Sequence, residues 1–213
     1  MNNPNLTKVL LGIGILASVL VGIGEYLLHF LPGGPGGEID MLLHVPLARA
    51  SIGHFFVVFG APLYFAGYLG LYNLFKSQSV RLATMILILG LLAFSVGGVW
   101  VSSRYMAAHV LQNTAGTELY DGMFAAYEQH YQILVWFLRI VVALISICYV
   151  ILILKNKLNL SKWIALANPV LLLVIVISSL FWFNPLGVHI APIAMNVTHF
   201  FFFGILLFSL NKH

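Results

Sequence analysis

An acid and a histidine four residues apart, Glu25 and His29, lie at the end of the first long apolar segment of the chain. Residues spaced by four lie on one face of an α-helix, so the carboxylate and the imidazole would point the same way. Only 8% of the 213 residues are charged. A carboxylate placed in so apolar a setting needs a partner, because an unpaired charge inside a membrane is costly.

We predict that the partner of Glu25 is Arg139. At about 1.5 Å per helical residue, Glu25, Arg139 and His199 lie at similar depths below the outer ends of their segments. A Glu25–Arg139 ion pair would form the floor of an outward-facing polar cavity, or would simply hold two helices together. Arg139 would fix Glu25 in place or bind an anionic group, and Glu25, His54 and Arg139 are our candidate catalytic residues.

Histidines from several segments are predicted to share one layer with this acid. Zinc and similar divalent metals take His nitrogen and carboxylate oxygen, and a metal-bound water can act as a nucleophile. The candidate metal ligands are Glu25, His29, His54, His130 and His199. A haem between His54 and His199 is disfavoured because the histidines occupy one depth, with no second layer. No HExxH motif is present, so the metal prediction depends on clustering alone.

The composition predicts an integral membrane protein. The chain is 61% apolar and has a mean hydropathy of +1.00, far above soluble domains. Six apolar segments are long enough to cross a bilayer, at about 20 residues each. Their approximate ranges are 8–30, 51–75, 82–105, 131–154, 162–183 and 192–210. We therefore predict an all-α fold, a single transmembrane domain over residues 1–213 with six helices.

The charges predict the orientation of these helices. Lysine and arginine dominate the connections on the side of both termini, and the positive-inside rule makes that side cytoplasmic. The high pI reflects these residues and gives no reason to expect nucleic acid as a partner. All six acids and seven of the eight histidines fall on the other side. The site is thus predicted to lie on the non-cytoplasmic side of the membrane, facing the periplasm or the exterior.

Two features of the connecting segments bear on the site. Residues 118–130 are predicted to extend the fourth helix above the membrane, as a lid or a plain connector. Pro62 and Pro169 are expected to interrupt the second and fifth helices, because proline lacks the backbone N–H. Broken helices near the midplane are typical of transporters.

The stretches GEYLLHFLPG (24–33) and GHFFVVFGAPLYFAGY (53–68) resemble an uncharacterised family of small bacterial six-helix membrane proteins. The resemblance implies the fold and the bacterial inner membrane but no activity. A looser similarity is to the intramembrane metal hydrolases that include alkaline ceramidases and adipoQ receptors. This chain differs from them in having six predicted helices and no His-x-x-x-His motif.

Three functions remain open from the sequence. The first is a metal-dependent hydrolase acting on a lipid or amphiphile. The second is a binding protein or transporter for a lipid or small amphiphilic ligand. The third is a structural subunit, or a sensor of external pH through its histidines.

Overall fold

In a computed structural model, the described residues 4–31, 40–155 and 160–211 are helical apart from short connections and contain no β-strand. This confirms the predicted all-α fold. The eight α-helices in these ranges are α1 Pro4–His29, α2 Leu47–Gly60, α3 Leu63–Phe75, α4 Val80–Thr114, α5 Tyr120–Lys155, α6 Pro169–Trp182, α7 Asn184–Ile190 and α8 Ala194–Asn211. Short 3-10 helices cover Asp40–Leu43, Lys162–Ala167 and Ala191–Ile193.

Five helical stretches are long and apolar enough to cross a membrane. They are Pro4–His29, Leu47–Phe75, Val80–Thr114, Tyr120–Lys155 and Leu186–Asn211. The fifth predicted segment differs, because α6 has only 14 residues and would be about 21 Å long. The Lys162–Ala167 3-10 helix precedes it, so the predicted crossing at 162–183 is two elements rather than one helix. The count of six crossings stays a prediction.

Proline accounts for both predicted interruptions. Pro62 separates α2 from α3, because it has no N–H to donate to the preceding turn. In the same turn Ala61 N–H still bonds the Val57 carbonyl at 2.9 Å. Pro169 opens α6, and the Asn168 side chain caps it by accepting from Leu171 N–H at 3.0 Å. A further break at Ala191–Ile193 separates α7 from α8.

The predicted bounds of the third and fourth helices, 82–105 and 131–154, are too short. Helices α4 and α5 have 35 and 36 residues, or roughly 52–54 Å, against a bilayer core of about 30 Å. Hydropathy marks only the apolar part of a helix, so the polar turns beyond it were missed. The predicted helical extension around residues 118–130 is confirmed from Tyr120 onward. The Gln112 side chain of α4 donates to the carbonyls of Leu42 and Val45 and thereby holds the segment that leads into α2.

The helices form a ring. On one side α1 packs against α2 and α3, and on the other side it packs against α8. Next in the ring, α4 packs against α2, α3 and α5, while α6 packs against α8. The ring is weakest between α5 and α6, which meet along only a few residues. Four of the buried polar residues, Glu25, Arg104, Asn196 and His199, line the interior of the ring.

Candidate functional site

A buried ion pair lies at the centre of the site. The carboxylate of Glu25, on α1, accepts from Arg104, on α4, over 3.3 Å. Both side chains are almost completely buried, with Glu25 8% and Arg104 2% exposed. Because each charge is withdrawn from solvent, each depends on the other for compensation. The pair therefore ties α1 to α4 across the interior of the ring.

The prediction that Glu25 pairs with Arg139 was wrong. Its guanidinium lies 4.8 Å from the centre of the Trp136 ring on its own helix, and the residue is exposed. Depth matching failed because α4 is longer than its apolar stretch. Arg104 lies well before the end of α4 at Thr114, so it is deeper in the bundle than its place at the end of the predicted 82–105 segment implied.

Two further groups hold Arg104. The Arg104 guanidinium lies 4.3 Å from the centre of the Trp100 ring, a cation–π distance. It also approaches His29 Nδ1 at 3.2 Å. A guanidinium has no acceptor, so Nδ1 accepts and the proton of a neutral His29 resides on Nε2. The Glu25–His29 pair thus meets the same arginine, as its i,i+4 spacing allows.

Asn196 extends the network to α8 and α3. Its Nδ2 donates to the second oxygen of Glu25 at 2.6 Å. Its carbonyl oxygen accepts from the hydroxyl of Tyr64 at 2.8 Å. Both oxygens of Glu25 are therefore engaged, one by Arg104 and the other by Asn196.

One turn along α8, His199 makes a parallel connection. Its Nδ1 donates to the Met195 carbonyl at 2.9 Å, which leaves Nε2 to accept from the hydroxyl of Tyr68 at 2.9 Å. His199 is 1% exposed, and Phe94 meets its ring edge-on at 4.8 Å. The spacings Tyr64–Tyr68 and Asn196–His199 place both pairs on facing sides of α3 and α8.

A cavity of about 260 Å³ borders this network. Its polar lining consists of Glu25, Arg104, Asn196, His199 and Arg139. The walls are apolar or small side chains, which include Ala93, Gly97, Val135, Leu138 and Ile177. The cavity lies among α1, α4, α5, α6 and α8, in the half of the bundle where α1 ends and α8 begins. Of the predicted site residues, Glu25, Arg139 and His199 line this cavity and His29 contacts Arg104.

The predicted metal site is not assembled. Among residues 4–31, 40–155 and 160–211, no group of three or more His, Cys, Asp or Glu side chains is placed to hold a metal ion. His54 Nδ1 donates to the Ser102 carbonyl at 2.9 Å, and this bond ties α2 to α4. His130 is exposed and bonds the Ala126 carbonyl of its own helix. These histidines lie at similar depths, but their helices are rotated so that the rings point in different directions and do not meet.

The predicted site residues lack four members of the network, namely Arg104, Asn196, Tyr64 and Tyr68. The two tyrosines carry a recognisable signal, since they are i,i+4 and give an apolar segment one hydroxyl-bearing face. Arg104 is marked by Trp100 four residues earlier, where an arginine on the same helix face can stack on the indole.

A family model described as a family of unknown function, DUF6796, matches residues 1–213, so the chain belongs to that family. This confirms the resemblance to an uncharacterised family. No curated protein and no solved structure gives a significant match.

Proposed function

We propose that this member of the DUF6796 family is a bacterial inner-membrane protein that binds a small amphiphilic molecule. The ligand occupies the cavity among α1, α4, α5, α6 and α8, and the site faces the exterior. The observation that carries the proposal is the mixed lining of this cavity. Apolar walls joined to a few convergent polar groups are typical of small-molecule sites.

The size of the cavity limits the ligand. An apolar cavity of about 150 Å³ accommodates benzene, so the 260 Å³ found here has room for a somewhat larger group. That volume fits a head group with a short stretch of chain, and it is too small to enclose a whole two-chain lipid. A longer tail would extend beyond the cavity.

Binding accounts for the polar network better than hydrolysis does. A general base needs a free lone pair within reach of the proton that it takes. Each oxygen of Glu25 already accepts one hydrogen bond, from Arg104 at 3.3 Å and from Asn196 at 2.6 Å, and a carboxylate that compensates a buried guanidinium gives up that compensation if it takes a proton. The accepting nitrogens of His29 and His199 are engaged as well. Such a network is suited to shaping and polarising one wall of a pocket.

Gly97→Leu tests the proposal, because a Cβ at Gly97 would meet only Leu138, at 4.0 Å, before entering the cavity. Native mass spectrometry of the purified protein, with lipid extraction, would measure the molecule that co-purifies. We expect wild-type protein to retain a small amphiphile and Gly97→Leu to lose most of it. The matched control is Gly12→Leu, since a Cβ at Gly12 meets no atom within 4 Å. Equal occupancy in wild type and Gly97→Leu, or an empty wild-type protein, would contradict the proposal.

Transport of the bound molecule is the second candidate, and interrupted helices favour it. Two breaks line the cavity, at Ala61 between α2 and α3 and at Ala191–Pro192 between α7 and α8. Transporter substrate sites are commonly formed where membrane helices are discontinuous. Uptake of the co-purifying molecule into proteoliposomes, absent for Gly97→Leu, would distinguish transport from binding alone.

A further inference from the structure

The lining of the cavity carries one surplus positive charge. Of its charged residues, Glu25 is matched by Arg104 at 3.3 Å, and Arg139 remains. Arg139 makes no salt bridge with any acid in the part of the chain that the structure describes. The histidine of the lining, His199, accepts from a tyrosine hydroxyl, which fits its neutral form. In a cavity with one carboxylate and two guanidiniums, an anionic ligand would compensate the surplus positive charge.

Arg139 also lies where an unpaired cation is costly. It is 16 residues from Lys155 at the inner end of α5, about 24 Å along the helix and so within the outer half of a bilayer core. Charged side chains at such depths generally pair or face a polar cavity. Its stacking on Trp136 holds the guanidinium beside the cavity but supplies no negative charge.

The cavity is accessible from the side of the bundle between α5 and α6. Residues of both helices line it, including Leu138, Arg139 and Ile177, and the last two are exposed at the surface. Helices α5 and α6 do touch, and Val170 N–H of α6 donates to the Ser146 hydroxyl of α5, but they meet along only a few residues. In a membrane-spanning bundle this opening faces acyl chains.

From these observations, and resting on the proposed binding function, we infer that the ligand is a single-chain amphiphile with an anionic oxygen head group. It enters between α5 and α6, and its head group pairs with Arg139. The tail lies along the apolar walls and leaves through the lateral opening into the bilayer. Carboxylate and phosphate head groups share the required chemistry, because a guanidinium binds either one through paired N–H···O bonds.

Equilibrium binding of radiolabelled dodecanoate to the detergent-solubilised protein tests the inference. We expect saturable binding that dodecanol and dodecyltrimethylammonium do not displace. Competition by dodecyl phosphate separates the two head groups. If dodecyl phosphate competes better than unlabelled dodecanoate, the site prefers a phosphate monoester. If dodecyl phosphate competes less well, the site prefers a fatty acid.

Arg139→Gln should weaken dodecanoate binding roughly 10- to 100-fold, the size of one charge-assisted hydrogen bond. Lys155→Gln is the matched control, because it removes one positive charge from the exposed inner end of the same helix and should leave the affinity unchanged. Equal affinity in Arg139→Gln and wild type, or displacement by dodecanol as effective as by dodecanoate, would overturn the inference. If Gly97→Leu still lost a co-purifying molecule in that case, the proposed binding function would stand with a neutral ligand.

Discussion

Arg104 is the residue on which the buried charges depend. It pairs with Glu25, donates to His29 and stacks on Trp100, so one guanidinium joins α1 to α4. A buried ion pair adds little net stability over an apolar pair, but the loss of one partner leaves an uncompensated charge. No described acid depends on Arg139 in this way, because it makes no salt bridge and is stacked only on its neighbour Trp136.

Arg104→Gln should therefore destabilise the protein by about 3–5 kcal/mol, because Glu25 loses its counter-charge. For a chain of this size, that corresponds to a Tm lower by roughly 6–20 °C. Arg139→Gln should leave the protein at least as stable as wild type, because no acid in the described chain depends on that cation and an unpaired charge inside a membrane is costly. Thermal unfolding of both variants in one detergent, followed by tryptophan fluorescence, measures the difference.

The double variant Glu25→Gln/Arg104→Gln provides the control, since it removes both charges together. It should be less destabilised than the sum of its two single variants. If Arg139→Gln were the destabilising change and Arg104→Gln were mild, Glu25 would be paired with Arg139 after all.

At the scale of elements, α1 is held close to its neighbours by glycines. Gly24 of α1 faces Gly53 of α2, and a Cβ on Gly53 would lie 2.6 Å from the Gly24 carbonyl oxygen. Gly14 of α1 meets Gly67 of α3 in the same manner. Small residues of this kind let membrane helices approach closely and pack by van der Waals contact. This close packing fixes the height of Glu25 relative to the helices around it.

Gly53→Ala should separate α1 from α2 and destabilise the protein by about 1–3 kcal/mol, since the new methyl group collides with backbone. Gly12→Ala, with open space at its Cβ, should be neutral or stabilising by up to about 1 kcal/mol through helix propensity. Chemical or thermal unfolding of the two variants side by side checks this contrast. Equal destabilisation by both would show that close approach at Gly53 is unimportant.

The helix bounds show which parts of the fold could be predicted from the sequence. Apolar runs predicted the existence of the long helices, because hydropathy records what a bilayer requires. They did not predict that α4 continues through polar residues to Thr114, and only the expected interruption at Pro169 indicated that α6 is short, with 14 residues. The choice between Arg104 and Arg139 depended on that extra length and on the rotation of each helix. Those quantities arise from packing between distant segments, which no single segment encodes.

At the scale of the whole molecule, the ring of helices places its polar groups in one half of the bundle. Helices α1 and α8 run antiparallel, with Gly14 against Phe203 and Gly22 against Asn196, so the inner ends of both lie opposite the site. The long hairpin of α4 and α5 extends beyond the bundle at the site's end. The positive-inside rule predicts that this end faces the exterior.

Single cysteines test that orientation. In a Cys148→Ala background, we expect Glu118→Cys, at the tip of the hairpin, to react with a membrane-impermeant maleimide in intact bacterial cells. Ser77→Cys, in the connection between α3 and α4, should react only after the cells are permeabilised. Both positions are exposed, so reactivity reports the side of the membrane and not burial. The reverse labelling pattern would show that the orientation is the opposite of the predicted one and that the site lies on the cytoplasmic side.

An experimentally determined structure of the wild-type protein in lipid nanodiscs tests the central claim most directly. The account predicts non-protein density in the cavity between Gly97 and His199, continuing between α5 and α6, with Glu25 in contact with Arg104. A ring closed by direct packing of α5 on α6, with no room for a ligand, would contradict it.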